Sequence, residues 1–255
     1  MAYTKGAQII GFTPHFLPFV ALFHIVLTAV RICDWVVYRV RITGRAHLRR
    51  LESAVIVSNH TMLFDPGIIA HAIRPRRTYF TMLEETALIP YLGTFVRLLG
   101  AVPIPARANA LRELEEAART AFRHLGFIHF FPEGELCREN QQLQPFHPGA
   151  FLLACRLGVP VLPVTTVLHQ RLWRGSSAVR LPGLTVRLPP RITIVIGPPV
   201  PPPPTSGKAA ARAAREMALQ VREAMQEAID RRGGCKSISR GLMPRLGRRS
   251  EQKTA

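Results

Sequence analysis

The chain has 255 residues, 47% of them apolar, enough for one substantial domain with its own core. Its 34 Lys+Arg against 16 Asp+Glu leave a net charge of +18, a field that draws polyanions, either nucleic acid or anionic lipid headgroups. Cys33, Cys137, Cys155 and Cys235 are scattered, with no Cys-x-x-Cys pair and no Cys/His ligand spacing, which argues against a disulfide framework and for free thiols in a reducing cytosol.

In chain order, Phe16 to Val30 comes first as a strongly apolar run interrupted by Pro18 and His24. It is shorter than the roughly 20 apolar residues of a spanning helix. No small-x-small cleavage site follows it. The predicted arrangement is one or two helices dipping into a single leaflet, with Trp35 and Tyr38 at the interface and Arg31, Arg39 and Arg41 at the headgroups. This apolar start favours lipid over nucleic acid as the polyanionic partner, and no zinc-finger or RRM-type motif points the other way.

After Gly44 short apolar runs alternate with helical stretches. Strands are predicted over 53–58, 77–82, 101–104, 126–131, 159–168 and 191–196. The 159–168 strand holds two prolines, so it is expected at an edge or as an irregular strand. Helices are predicted from Asp65-Pro66 to about Ile73, over 88–99, from Asn109 to Leu125, and from Pro148 to Leu157, the last one stopped by Gly158. Such alternation predicts an α/β domain with a central, largely parallel sheet flanked by helices, preceded by the N-terminal membrane-associated helical segment. Past the stiff GPPVPPPP linker (197–204), Lys208 to Arg232 reads as an Ala-rich amphipathic helix, and the basic remainder as disordered. The predicted division is 1–44 for the membrane-associated helices, 45–204 for the α/β domain, 205–232 for the helix and 233–255 for the tail.

Three constellations carry chemistry. The first is Asn59-His60 with Asp65-Pro66. On a continuous helix a five-residue step would set the two side chains about 140° apart. Pro66 suits the first helical position, which makes Asp65 the predicted N-cap and puts His60 on the turn before it, free to fold back onto the carboxylate. A carboxylate there fixes the imidazole tautomer and leaves the outward nitrogen as a general base. No serine or cysteine is placed as a nucleophile, so the proton to be taken is a substrate hydroxyl's. The second is Phe131-Pro132-Glu133-Gly134, a turn at the end of a buried strand. Gly134 permits the turn, and Glu133 is expected to bind an acceptor hydroxyl or lock a phosphate-binding arginine. The third is Gly100 to Arg107, a strand end followed by an arginine that can clamp a phosphate. A metal-dependent hydrolase built on His60, Asp65 and Glu133 is the competing enzyme reading, but no HxH or HExxH spacing supports it. The non-enzymatic alternative is a basic membrane-binding module.

NHTMLFD (59–65), GAVPIPAR (100–107), FPEG (131–134) and VPVLPV (159–164), in that order, resemble the glycerolipid acyltransferase family typified by 1-acylglycerol-3-phosphate acyltransferase. The resemblance implies an O-acyltransferase in which His60, assisted by Asp65, deprotonates an acceptor hydroxyl that attacks an acyl-CoA or acyl-carrier-protein thioester. It implies no acyl-enzyme, no metal and no cofactor beyond that co-substrate. It assigns Asn59, Arg107, Glu133, Gly134 and Arg138 to substrate binding, backbone donors near the active turn to the oxyanion, and Val159 to Val164 to the acyl side. The implied partners are a lysophospholipid acceptor, the acyl carrier and an anionic membrane surface, with no nucleic acid. The implied location is the cytoplasmic face of the cell membrane. The favoured acceptor is 1-acylglycerol-3-phosphate, giving phosphatidate; another lysolipid, such as one with an amino-acid headgroup, or glycerol 3-phosphate is the alternative. The chain departs from the family's usual FPEG-Thr-Arg-Ser by carrying Glu135, Leu136 and Cys137, so that Arg138 stands in for the missing arginine. Leu83 also occupies a place where the family often has lysine, and the second block is one residue longer than its commonest form.

Overall fold

The computed structural model describes residues 34–49, 51–83, 101–104, 110–124, 126–170, 178–181, 184–187, 189–204 and 207–234, with a few single positions between 25 and 32. Most of the apolar segment 16–30, the helix predicted over 88–99, Arg107 and nearly all of the basic tail therefore lie outside the described residues. Among the described residues no helix is long and apolar enough to cross a membrane.

Seven strands form one sheet: β1 (Arg41–Thr43), β2 (Val55–Ser58), β3 (Arg77–Leu83), β4 (Val102–Ile104), β5 (Gly126–Phe130), β6 (Val161–His169) and β9 (Arg191–Ile196). Their order is β1-β9-β6-β2-β5-β3-β4. All neighbouring pairs are parallel except β6 with β9. The sheet thus begins before the boundary predicted at residue 44, because Arg41–Thr43 already pairs with Thr193–Val195 of β9. β7 (Ala178–Leu181) and β8 (Leu184–Arg187) pair antiparallel in a separate two-stranded sheet.

Among the described residues, the α-helices with defined bounds are α1 (Asp65–Ile73), α2 (Ala110–Arg123), α3 (Gly149–Leu157) and α4 (Gly207–Arg231). They cover both faces, because the strands are buried on both. Val55 and Val57 pack into one core with Leu114, Ala118 and Ala121 of α2, Phe151 and Leu153 of α3, and Met217, Val221 and Met225 of α4. Ile56, from the opposite side of the same strand, packs with Phe127, Leu162 and α1's Ile68, Ile69 and Ile73. Full burial of three isoleucines contributes about 1.5–3 kcal/mol each, more than any cap supplies, and this anchors α1. Helix α4 is accordingly part of the domain's core rather than an appendage beyond it.

Strand β6 is not an edge. It lies between β2 and β9, with Val161, Leu162, Val164 and Val167 fully buried. Its prolines are tolerated for local reasons. Pro160 precedes the strand, and its carbonyl still accepts from the Val55 N–H. Pro163 turns its carbonyl toward the Gly197 N–H at 2.9 Å, just past the end of β9, so the nitrogen that lacks a hydrogen faces a place where the β9 ladder has ended. A Cβ on Gly197 would lie 2.9 Å from the Pro163 ring, so glycine there makes room for proline here.

Candidate active site

Strand β2 ends at Ser58, and the turn that follows carries Asn59, His60, Thr61 and Met62. Three side chains lock that turn from different parts of the chain. The Asn59 amide spans to β6: its Nδ2 donates to the Thr166 carbonyl at 3.0 Å and its Oδ1 accepts from the Thr166 N–H at 2.8 Å. Asn59 is fully buried, and its amide, expected at the substrate, bridges the end of β2 to β6. Ser58 Oγ meets His129 Nε2 of β5 at 2.7 Å, entirely inside the protein.

Asp65 provides the third lock. It is the first residue of α1 rather than its N-cap, which is Phe64. Its carboxylate turns back into the preceding loop, where one oxygen, Oδ2, accepts from the Thr61 N–H at 2.6 Å and the Met62 N–H at 2.8 Å. His60 Nδ1 lies 3.0 Å from the same oxygen. The fold-back of imidazole onto carboxylate is therefore formed, but through a carboxylate that organises the loop upstream of the helix and not the helix end. An oxygen already serving two N–H groups as acceptor pairs with Nδ1 when that nitrogen carries the hydrogen and donates it. Nε2 is left with its lone pair. The Phe131 ring stacks on the imidazole at 3.9 Å between centroids and 18° between planes, which fixes the ring's face. The His60 side chain remains 19% exposed while Asp65 is 0% exposed, so the proton acceptor is reachable and its support is not.

Glu133 lies beneath the same turn. One carboxylate oxygen accepts from the His60 N–H at 3.0 Å and the other from the Gln144 N–H at 3.1 Å. Among the described residues, its partners are these two backbone amides and the Cys137 thiol. Burial pushes its carboxyl above the usual range, opposed by those two N–H donors, by a hydrogen bond from Cys137 and, when His60 is protonated, by its charge. The Cys137 thiol is pushed up to about 12 by burial and by the carboxylates of Glu133 and Glu135, so it stays a neutral donor and is no nucleophile. The chain around it also pairs with the turn, the Cys137 N–H donating to the His60 carbonyl at 2.8 Å and the Glu139 N–H to the Thr61 carbonyl at 2.9 Å.

Gly134 sits at φ +75°, where a Cβ would lie 3.0 Å from the His147 ring, so the turn requires glycine on two counts. Arg138 is exposed on the loop beyond it. The N–H groups of His60, Thr61, Met62 and Cys137 are all engaged within the protein, so the oxyanion donors expected near the active turn are not these four. In the segment 159–164, expected on the acyl side, Val159, Val161, Leu162 and Val164 are buried. Among the described residues no group of three or more His, Cys, Asp or Glu side chains converges as a metal site.

The sequence profile of the acyltransferase family matches residues 39–167, about half of the chain and the stretch that holds this turn. The chain belongs to the acyltransferase family. It is 28% identical over 161 residues to human lysophospholipid acyltransferase LPCAT4, an alignment covering 59% of this chain and 29% of that protein. It is 30% identical over 171 residues to a 1-acyl-sn-glycerol-3-phosphate acyltransferase of Chlamydomonas reinhardtii, covering 65% and 48%. The chain therefore spans less than half the length of these two relatives. The crystal structure of the 1-acyl-sn-glycerophosphate acyltransferase PlsC from Thermotoga maritima superposes with a TM-score of 0.58 at 22% identity, covering 89% of this chain and 91% of that one, which shows the shared fold.

The sequence did not single out the Ser58–His129 pair. A histidine inside FIHFF reads as packed core, and only the pairing of β2 with β5 brings Ser58 to it. Nor did it single out Gln141, Gln144 and Gln226, whose roles depend on loops meeting a distant helix.

Proposed function

We propose that this protein transfers a fatty acyl group from an acyl-CoA or acyl-carrier-protein thioester to the free hydroxyl of a lysophospholipid. The observation that carries the reading is His60 Nδ1 held 3.0 Å from a fully buried Asp65 carboxylate, with the ring still partly exposed. Nε2 accepts the acceptor hydroxyl's proton as its oxygen attacks the thioester carbonyl. Asp65 stabilises the imidazolium so formed. Collapse of the tetrahedral intermediate breaks the carbon–sulfur bond, and the imidazolium returns its proton to the departing thiolate. Proton and acyl group are both accounted for without an acyl-enzyme.

The first acceptor proposed is 1-acylglycerol-3-phosphate, giving phosphatidate, in line with the activity for which the Chlamydomonas relative is named. Arg107, beyond the described residues, and the exposed Arg138 are the proposed phosphate ligands. The replacement of the family's usual Thr-Arg-Ser by Glu135, Leu136 and Cys137 favours keeping other lysolipid headgroups, and glycerol 3-phosphate, in the same assay. The net charge of +18 supports work at an anionic membrane surface, and the cytoplasmic face is where both acyl carriers are found.

The test uses the full chain in detergent with acyl-CoA or acyl-carrier protein and a panel of lysolipids, reading release of the free carrier thiol. His60→Ala and Asp65→Ala are expected to lower kcat by about 100-fold or more. A His60→Ala variant that turns over as fast as the parent, or a parent that releases thiol with no lysolipid, would remove the proposal.

A further inference from the structure

We propose that Arg222 and Gln226 of helix α4 are positioning residues for His60, acting through the 141–144 segment and Glu133. This rests on the reading of His60 as the base.

The path consists of hydrogen bonds. Arg222 and Gln226 stand four residues apart on α4 and therefore on one face of it. Arg222 donates from Nη2 to the Leu143 carbonyl at 2.7 Å and from Nε to the Gln144 carbonyl at 3.0 Å. Gln226 accepts the Leu143 N–H on Oε1 at 2.9 Å and donates from Nε2 to the Gln141 carbonyl at 3.1 Å. The segment between these grips has no regular backbone ladder of its own, yet Leu143 is buried in the core. Gln141, also buried, ties its far end to β6 by accepting the Leu168 N–H at 2.8 Å. Once held, the segment presents the Gln144 N–H to Glu133 Oε2 at 3.1 Å, and the other oxygen of Glu133 holds the His60 N–H at 3.0 Å.

Two features separate this grip from ordinary packing. Helix α4 is anchored by Met217, Val221, Met225 and Ile229 on its buried face, so it needs neither Arg222 nor Gln226 to stay docked. Arg222 also places its charged guanidinium on backbone carbonyls and not on a carboxylate, so its donors set the position of one peptide unit. The clamp comes from residues past 167, where the match to the family profile ends. The turn that carries the base is thus completed by a part of the chain outside that matched stretch.

The experiment compares the full-length parent with the Arg222→Ala/Gln226→Ala double variant. Without substrate, hydrogen–deuterium exchange over segments 58–65 and 139–147 should rise about tenfold or more in the variant while strands β2, β5 and β6 stay protected. With saturating substrates kcat should fall about 10- to 100-fold, with KM for acceptor and donor within about twofold. Arg222→Lys, whose single ammonium cannot hold both carbonyls as the guanidinium fork does, should show a kcat between those of Arg222→Ala and the parent. Unchanged exchange in the two segments overturns the proposal, and so does raised exchange with unchanged kcat. If the double variant does not fold, the two single alanine variants are read in the same way. A parent inactive on every lysolipid ends the acyl-transfer reading, and the exchange measurement then decides the clamp by itself.

Discussion

His129 makes the stability of this protein depend on pH in a calculable way. The imidazole is fully buried, touching Ser58 Oγ through Nε2, with Phe80 and Phe131 against the ring and no partner for Nδ1 among the described residues. Burial, with the nearby His60 as a smaller cause, lowers its pKa from 6.5 to about 3. The folded protein therefore binds this proton more weakly than the unfolded chain does. The stability it contributes is fully present above 6.5 and is lost as pH falls from there toward 3. At about pH 5 the unfolded chain has gained roughly 1.5 pH units of protonation free energy that the folded state has not. At about 1.4 kcal/mol per unit, this amounts to about 2 kcal/mol. For a chain of this size that is a fall in Tm of about 4–8 °C. His129→Gln removes the titration and keeps a polar group in reach of Ser58. The measurement is Tm of parent and variant at about pH 8 and about pH 5. The parent should lose the stated increment beyond whatever the variant loses, since every other titrating group is common to both. Parallel pH dependence in the two proteins would refute the argument. Because Ser58 lies two residues before His60, the same loss loosens the strand end that carries the base.

Asn59→Ala should destabilise by about 2–3 kcal/mol, because it strips the Thr166 N–H of its acceptor inside the protein. A variant with unchanged Tm but a raised KM for acceptor would return Asn59 to the substrate-binding role predicted from sequence. Cys137→Ser should keep kcat within about threefold, since a hydroxyl also donates to Glu133. The parent's thiol, held neutral up to about 12, should alkylate far more slowly at about pH 8 than a free cysteine. Fast alkylation that abolishes turnover would contradict this.

Much of this protein is determined by order along the chain. The α/β alternation, the parallel sheet and the place of α1, α2 and α3 follow from local hydrophobic period, proline and glycine, which act within a few residues. The His60–Asp65 pairing was legible for the same reason: five residues and a proline suffice to bring the two together. Distance along the chain marks where that legibility stops. Asp65 was expected to cap its helix, yet the loop's own N–H groups offered a better set of donors. Pro160 and Pro163 pointed to an edge strand, yet two buried faces and the end of β9 put β6 in the middle of the sheet. Asn59 meets Thr166, Ser58 meets His129, and Arg222 meets Gln144 across separations of 107, 71 and 78 residues. Such partners are chosen by how strands pair and which helix covers which loop, so only the folded chain decides that Asn59 and Glu133 hold the backbone of the active turn.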